Sequence, residues 1–345
     1  MKKILIAALC LASSLTVSAQ RTLTEVAQKS TFGGYFVGQF TSSDAASADQ
    51  GFGMRYARLY VNGSMFDDFK YRLQIETAGE PGTVKGVRVL DAYGEWVKYK
   101  GFQVRFGQMK RCFTFENPYN PWEIGMGSNA QGISKLAGMA DRCGEHSSGG
   151  RDAGLVIQGD LFPINDLRFL HYQVGVYNGQ GINKRDVQQA RSKDLIGGLW
   201  INPMKGLSVG AFGWTGKYYN SSTQETYDRN RLAYGVKYEG DWSFRSEYIS
   251  SQGYAPKLSD KADAWYMLVG APVGEKLRLY GKWDVYRQDK THASQTTLWC
   301  ATAEWWFCKN LKLQANYTFT EKGDDFIGKG DRFYNTAEVQ LYVRF

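Results

Sequence analysis

Three histidines, His146, His171 and His292, are the only imidazoles in the chain, so proton transfer or nucleophile activation by histidine would have to run through one of them. No G-x-S-x-G elbow supplies a hydrolase serine. Cys143-Gly144-Glu145-His146 holds the ligand types of half a zinc site, but no second pair accompanies it. Gly125-Met126-Gly127-Ser128-Asn129-Ala130 matches a dinucleotide fingerprint by letters, without the strand-to-helix unit that would seat a pyrophosphate. The expectation is a protein that is not an enzyme, with no catalytic residue, metal or cofactor.

Charge is the remaining chemistry. The chain of 345 residues carries 42 Lys and Arg against 34 Asp and Glu, a net charge of +8. Removing Lys2 and Lys3 with a leader lowers that by two charges, and so mild an excess does not imply a nucleic-acid partner. What matters is where the charges sit, which depends on the elements that carry them.

Lys2 and Lys3 precede the apolar stretch from Ile4 to Val17, which ends in Val17-Ser18-Ala19, so residues 1–19 read as a secretory signal peptide. No later apolar run approaches the ~20 residues of a membrane helix. The dominant pattern is instead alternation with period two, which sends successive side chains to opposite faces of a strand. Phe69, Tyr71, Leu73 and Ile75 alternate with Lys70, Arg72, Gln74 and Glu76, and Leu311, Leu313, Ala315, Tyr317 and Phe319 alternate with Lys312, Gln314, Asn316 and Thr318.

About sixteen such strands fit between residue 30 and the C-terminus. Tight turns, as at Asp67-Asp68 or Tyr99-Lys100, alternate with longer polar connections, as at 41–51 or 219–228. Short and long connections in strict alternation fit an all-β, transmembrane, antiparallel up-and-down barrel in the outer membrane of a Gram-negative bacterium, whereas a soluble sandwich would mix the lengths. Residues 20–345 are expected to form this single barrel. The last strand alternates Ala337, Val339, Leu341, Val343 and Phe345 with polar residues, and Trp96, Tyr99, Trp242, Trp283, Trp305 and Phe307 near strand ends suit interfacial girdles against lipid.

In their order along the chain, Arg55-Tyr56-Ala57-Arg58-Leu59-Tyr60-Val61-Asn62-Gly63, Leu90-Asp91-Ala92-Tyr93, Phe106-Gly107-Gln108-Met109-Lys110, Gly150-Arg151-Asp152-Ala153-Gly154-Leu155 and Gly175-Val176-Tyr177-Asn178-Gly179 resemble the phosphate-selective porin O and P family. The resemblance implies a trimeric sixteen-stranded barrel whose third outer loop, residues 111–149, folds inward to narrow a passive channel for small hydrophilic solutes, with phosphate or other anions as partners. It makes Lys110 and Arg111, at the loop entrance, and Arg58, Arg72 and Arg105, on nearby strands, the candidates for guiding an anion. The chain departs from the family at Arg111-Cys112-Phe113, where a proline usually follows the lysine. A non-selective channel, a channel for another nutrient and an adhesin or structural barrel are the alternatives.

Parity places Arg58, Lys70, Arg72, Arg105, Arg231, Lys237, Arg245, Arg278, Lys282 and Lys312 on the lumen side, together with Glu76, Asp91, Glu95, Asp152, Asp160, Glu239, Glu247, Asp284, Glu304 and Glu338. Such groups can steer solutes or pair across strands to hold the wall. Cys112 and Cys143 bracket the long loop and form a candidate disulfide, two free thiols being the alternative. Cys300 and Cys308, on one strand, would lie about 26 Å apart, too far to bridge.

Overall fold

The computed structural model describes residues 29–46, 48, 50–78, 86–145, 148–184, 192–253 and 260–345. The expected leader and His146 lie outside the described residues. Within them, β1 (Ser30–Ser43), β2 (Gly51–Met65), β3 (Phe69–Glu76), β4 (Arg88–Tyr99), β5 (Phe102–Lys110), β6 (Arg151–Ile164), β7 (Leu167–Tyr177), β8 (Asp194–Met204) and β9 (Leu207–Thr215) form the first half of a barrel. The second half is β12 (Asn230–Glu239), β13 (Ser243–Gln252), β14 (Lys261–Pro272), β15 (Leu277–Arg287), β16 (Gln295–Cys308), β17 (Leu311–Lys322) and β18 (Phe333–Arg344). Two short strands, β10 (Lys217–Asn220) and β11 (Glu225–Asp228), pair with each other outside the barrel wall. The longer polar connection at 219–228 therefore prolongs a hairpin, with Tyr218 opposite Tyr227 and both packed on Cys143.

Sixteen antiparallel strands close on themselves where β1 pairs with β18 in the register Tyr35 to Arg344. Closure satisfies the backbone groups of every edge, the condition for a sheet to cross lipid. The faces follow the alternation read in the sequence. Leu73, Phe106, Leu232, Tyr317 and Leu341 are exposed on the outside, while Gln74, Arg231, Lys312 and Gln340 are buried inside. Near the short turns Trp96 packs edge-on against Tyr99 and Phe102, at centroid distances of 5.6 and 6.3 Å, as in an interfacial girdle.

The interior is not an empty tube. Residues 111–150 leave β5, pass through the short helix α1 (Gln131–Leu136) and return to β6, and the neck of this loop is closed by the Arg111 N–H donating to the Gly150 carbonyl at 2.8 Å. Phe113, Ile133 and Leu136 are fully buried against Ile196, Phe212, Trp214, Ala233, Ile249 and Ala264 of the inner wall. That wall makes room. Gly235 lies under Phe115, where an added Cβ would stand 2.8 Å from the ring, and Gly132 of α1 sits against Ala264 with a clearance of the same 2.8 Å. Each large apolar side chain buried here is worth roughly 1.5–3 kcal/mol, so the loop belongs to the folded core.

Candidate functional site

The wall's charges meet the loop first. The Glu247 carboxylate on β13 accepts the backbone N–H groups of Phe115 (2.6 Å) and Glu116 (2.9 Å), and the hydroxyl of Tyr266 (2.8 Å). Asp284 on β15 accepts the Gln131 N–H at 2.9 Å. In the other direction, Lys312 on β17 donates to the Trp122 carbonyl at 2.9 Å, and Arg245 on β13 donates to the Ile124 carbonyl. Turns and the short helix satisfy part of the loop's backbone, and these side chains take up groups that they leave over. Much of the lumen charge predicted by parity is consumed in this way.

A second cluster fastens the two ends of the loop. Arg111 lies against Glu145 and Asp152, with Nη2 at 3.0 Å from Glu145 Oε1 and 2.9 Å from Asp152 Oδ2. Arg229 reaches Glu145 (2.5 Å) and Asp194 (2.6 Å), and Arg231 pairs with Asp141 at 2.5 Å. All three guanidinium groups stand within 5.0 Å of the Trp214 ring centroid, and the Trp214 indole N–H donates to Asp194 at 2.8 Å. Burial raises the Asp141 carboxyl, but the Arg231 guanidinium outweighs it and holds the group below the usual carboxylate range.

The anion-guiding candidates separate on this geometry. Arg58 is buried, donating to Glu76 at 2.7 Å and to the Tyr35 hydroxyl at 2.9 Å. Arg72 reaches Asp91 at 3.4 Å and Asn62 at 2.7 Å, and keeps 21% of its side chain exposed. Arg105 pairs with Glu95 at 2.9 Å, lies over the Tyr93 ring at 4.8 Å and keeps 26% exposed. Lys110 donates to the carbonyls of Asn117 (2.6 Å) and Tyr119 (2.9 Å), which leaves one of its three N–H groups. Among the described residues no carboxylate forms an ion pair with it. Arg111 departs from the expectation: its side chain has no exposure, so it fastens the loop and cannot present itself to a passing ion.

The expected bridge between Cys112 and Cys143 is likewise absent, because both are free thiols held in different surroundings. Cys112 Sγ donates to the Ile196 carbonyl on the wall at 3.1 Å, while Cys143 Sγ lies 2.9 Å from Asp141 Oδ1. Ion pairs and burial fasten the loop in place of a covalent link.

A cavity of about 420 Å³ lies between the loop and the wall from β5 to β12. Its polar lining includes Arg105, Lys110 and Lys237, and its ring lining Phe115, Tyr119 and Trp200. Arg105, Lys237 and Glu239 occupy the halves of their strands nearer the short turns, so the cavity lies on that side of the loop. Sequence reasoning placed Lys237 on the lumen side but did not single it out, and it missed the rings supplied by the loop.

Residues 33–120, covering the first five strands and the loop entrance, match the family described as phosphate-selective porin O and P. The chain is an outer-membrane porin. The porin fold extends over the whole barrel. An anion-selective porin from Comamonas acidovorans superposes with a TM-score of 0.69 at 15% identity, over 92% of this chain and 99% of the other. OmpF of Salmonella typhi, solved in complex with daunomycin, gives 0.67 at 14% identity, over 92% and 97%. The outer-membrane channel DcaP of Acinetobacter baumannii gives 0.65 at 12%, over 92% and 97%. No curated protein matches the porin's sequence. The matched family and the fold are those of a channel of the Gram-negative outer membrane.

Proposed function

We propose that this porin is a homotrimeric, passive channel for small hydrophilic solutes that prefers anions, phosphate among them. Lys110 carries the proposal: a lysine beside the constriction that donates to loop carbonyls and forms an ion pair with no carboxylate among the described residues. Arg105 and Lys237, each about a quarter exposed, add to the field. The match to phosphate-selective porins and the fold shared with an anion-selective porin support the same reading.

Guanidinium and ammonium groups suit phosphate oxygens, and partial pairing, as of Arg105 with Glu95, keeps binding weak enough for release. Reversal potentials across a planar bilayer, with chloride and phosphate in turn, test the proposal. Anion preference with a current inhibited by phosphate, weakened in Lys110→Ala or Arg105→Ala, is expected. Cation preference would overturn it. Equal permeability to both signs would favour a general pore, the reading to which the neutralised Arg58–Glu76 pair points.

A further inference from the structure

We infer that the cavity beneath the loop is a binding site for small aromatic carboxylates, so that organic anions carrying a flat ring are preferred solutes of this channel. This rests on the anion preference proposed above and deepens it.

Inorganic phosphate has no use for an apolar wall, and this cavity has one. Trp200 on β8 and His171 on β7 lie face to face, with ring centroids 4.0 Å apart and planes inclined by 21°. Phe115 of the loop meets Trp200 edge-on at 5.6 Å. Tyr119, also from the loop, completes the ring lining. The Asp160 carboxylate lies 2.6 Å from His171 Nδ1 and fixes the imidazole in this stack. A flat ring inserted here gains edge and face contacts of the kind aromatic pairs prefer.

The charges favour a carboxylate on that ring. Arg105, Lys110 and Lys237 are all partly withdrawn from water, and Lys237 lies 5.5 Å from the Phe115 centroid and 5.7 Å from that of Tyr119. The acids of the same cavity are Glu123, which is exposed, and Glu239, whose side chain is 45% exposed and lies 3.9 Å from Lys237. The buried Glu95 takes up Arg105, and exposed charges are screened more strongly than withdrawn ones, so Lys110 and Lys237 leave the inside of the cavity positive while its rim is mixed. A volume of about 420 Å³ holds one single-ring molecule with its waters.

The test uses the full-length porin in a planar bilayer carrying chloride current, with benzoate, acetate or a neutral methyl glucoside added on the short-turn side. Benzoate is expected to block saturably at a concentration about fivefold below that for acetate, the factor an aromatic contact supplies, and the glucoside is expected not to block. Trp200→Leu should bring the benzoate requirement to that of acetate, while Trp265→Leu, on the lipid-facing side, should leave the difference intact. Equal block by benzoate and acetate, or block by the glucoside at the benzoate concentration, overturns the inference, and the wild-type comparison decides even if Trp200→Leu does not assemble. Anion-selective reversal potentials together with equal block would remove only the aromatic site. Cation-selective reversal potentials would remove the anion preference as well.

Discussion

Arg111 and Glu145, 34 residues apart and at opposite ends of the long loop, face each other fork to fork, with Nη1 and Nη2 at 3.1 and 3.0 Å from Oε1 and Nη2 at 3.2 Å from Oε2. Neither side chain has any exposure. The pair closes the loop on itself, and Asp152 and Arg229 tie it to β6 and to the start of β12.

Removing one partner of a fully buried pair leaves a charge without compensation, at a cost of about 3–5 kcal/mol. Arg111→Met or Glu145→Gln should therefore release the loop while the barrel itself assembles. Single-channel recordings should show a larger, noisier conductance, and limited proteolysis should cut between residues 111 and 149. Wild-type conductance and protease resistance in both variants would show that the pair does not hold the loop.

Gly138 should behave as part of the same fastening. Its φ of +81° suits glycine, and a Cβ there would stand 1.8 Å from Arg111 Nη1. Gly138→Ala is expected to reproduce the Arg111 phenotype. Gly213→Ala, where an added Cβ meets open space, should conduct like the wild type, and equivalence of the two alanine variants would contradict the assignment.

The thiols offer a chemical readout of the loop's burial. Burial pushes the Cys112 thiol up to about 11, and it raises Cys143 as well. Alkylation at pH 8 should thus modify exposed Cys308 first and reach Cys112 and Cys143 only after denaturation. A non-reduced digest should return Cys112 and Cys143 as separate alkylated peptides. A disulfide-linked peptide would restore the bridge that their spacing suggested.

Asp141 contributes a part of the loop's attachment that does not depend on pH near neutrality. Its carboxyl is held below the usual range in the folded protein, so its contribution is complete above the ordinary carboxylate value near ~3.9 and is lost only as pH falls through the lower folded value. The Asp141–Arg231 pair should accordingly persist unchanged between about pH 8 and 5. Asp141→Asn should weaken the attachment throughout that range, because the buried Arg231 loses its partner. An opening transition near neutral pH in the wild type would show that another group governs the loop.

Much of this molecule is local, and so it was legible without coordinates. The alternation of Leu73 with Gln74, or of Tyr317 with Asn316, reports two unlike surroundings on the two sides of each strand, and the alternating turn lengths report a meander. Those two patterns determine a closed barrel, its sixteen strands and the side each residue faces. The interior's division of labour is not local. Parity does not tell which groups Arg111, Glu247 and Lys312 fasten, because the partners through which they hold the loop lie 34 to 190 positions away along the chain. One trace of the loop's seat was present in β14, where Ala262, Ala264, Tyr266 and Leu268 are buried inside while Trp265, Met267 and Val269 are exposed outside, so both faces are apolar where the lumen face of a water-filled barrel would be polar. Only the tertiary structure decided that the loop occupies that face, that Arg111 is consumed in holding it, and that Arg105, Lys110 and Lys237 retain exposure, since a charge can act on a solute only where the fold leaves it short of partners and within reach of water.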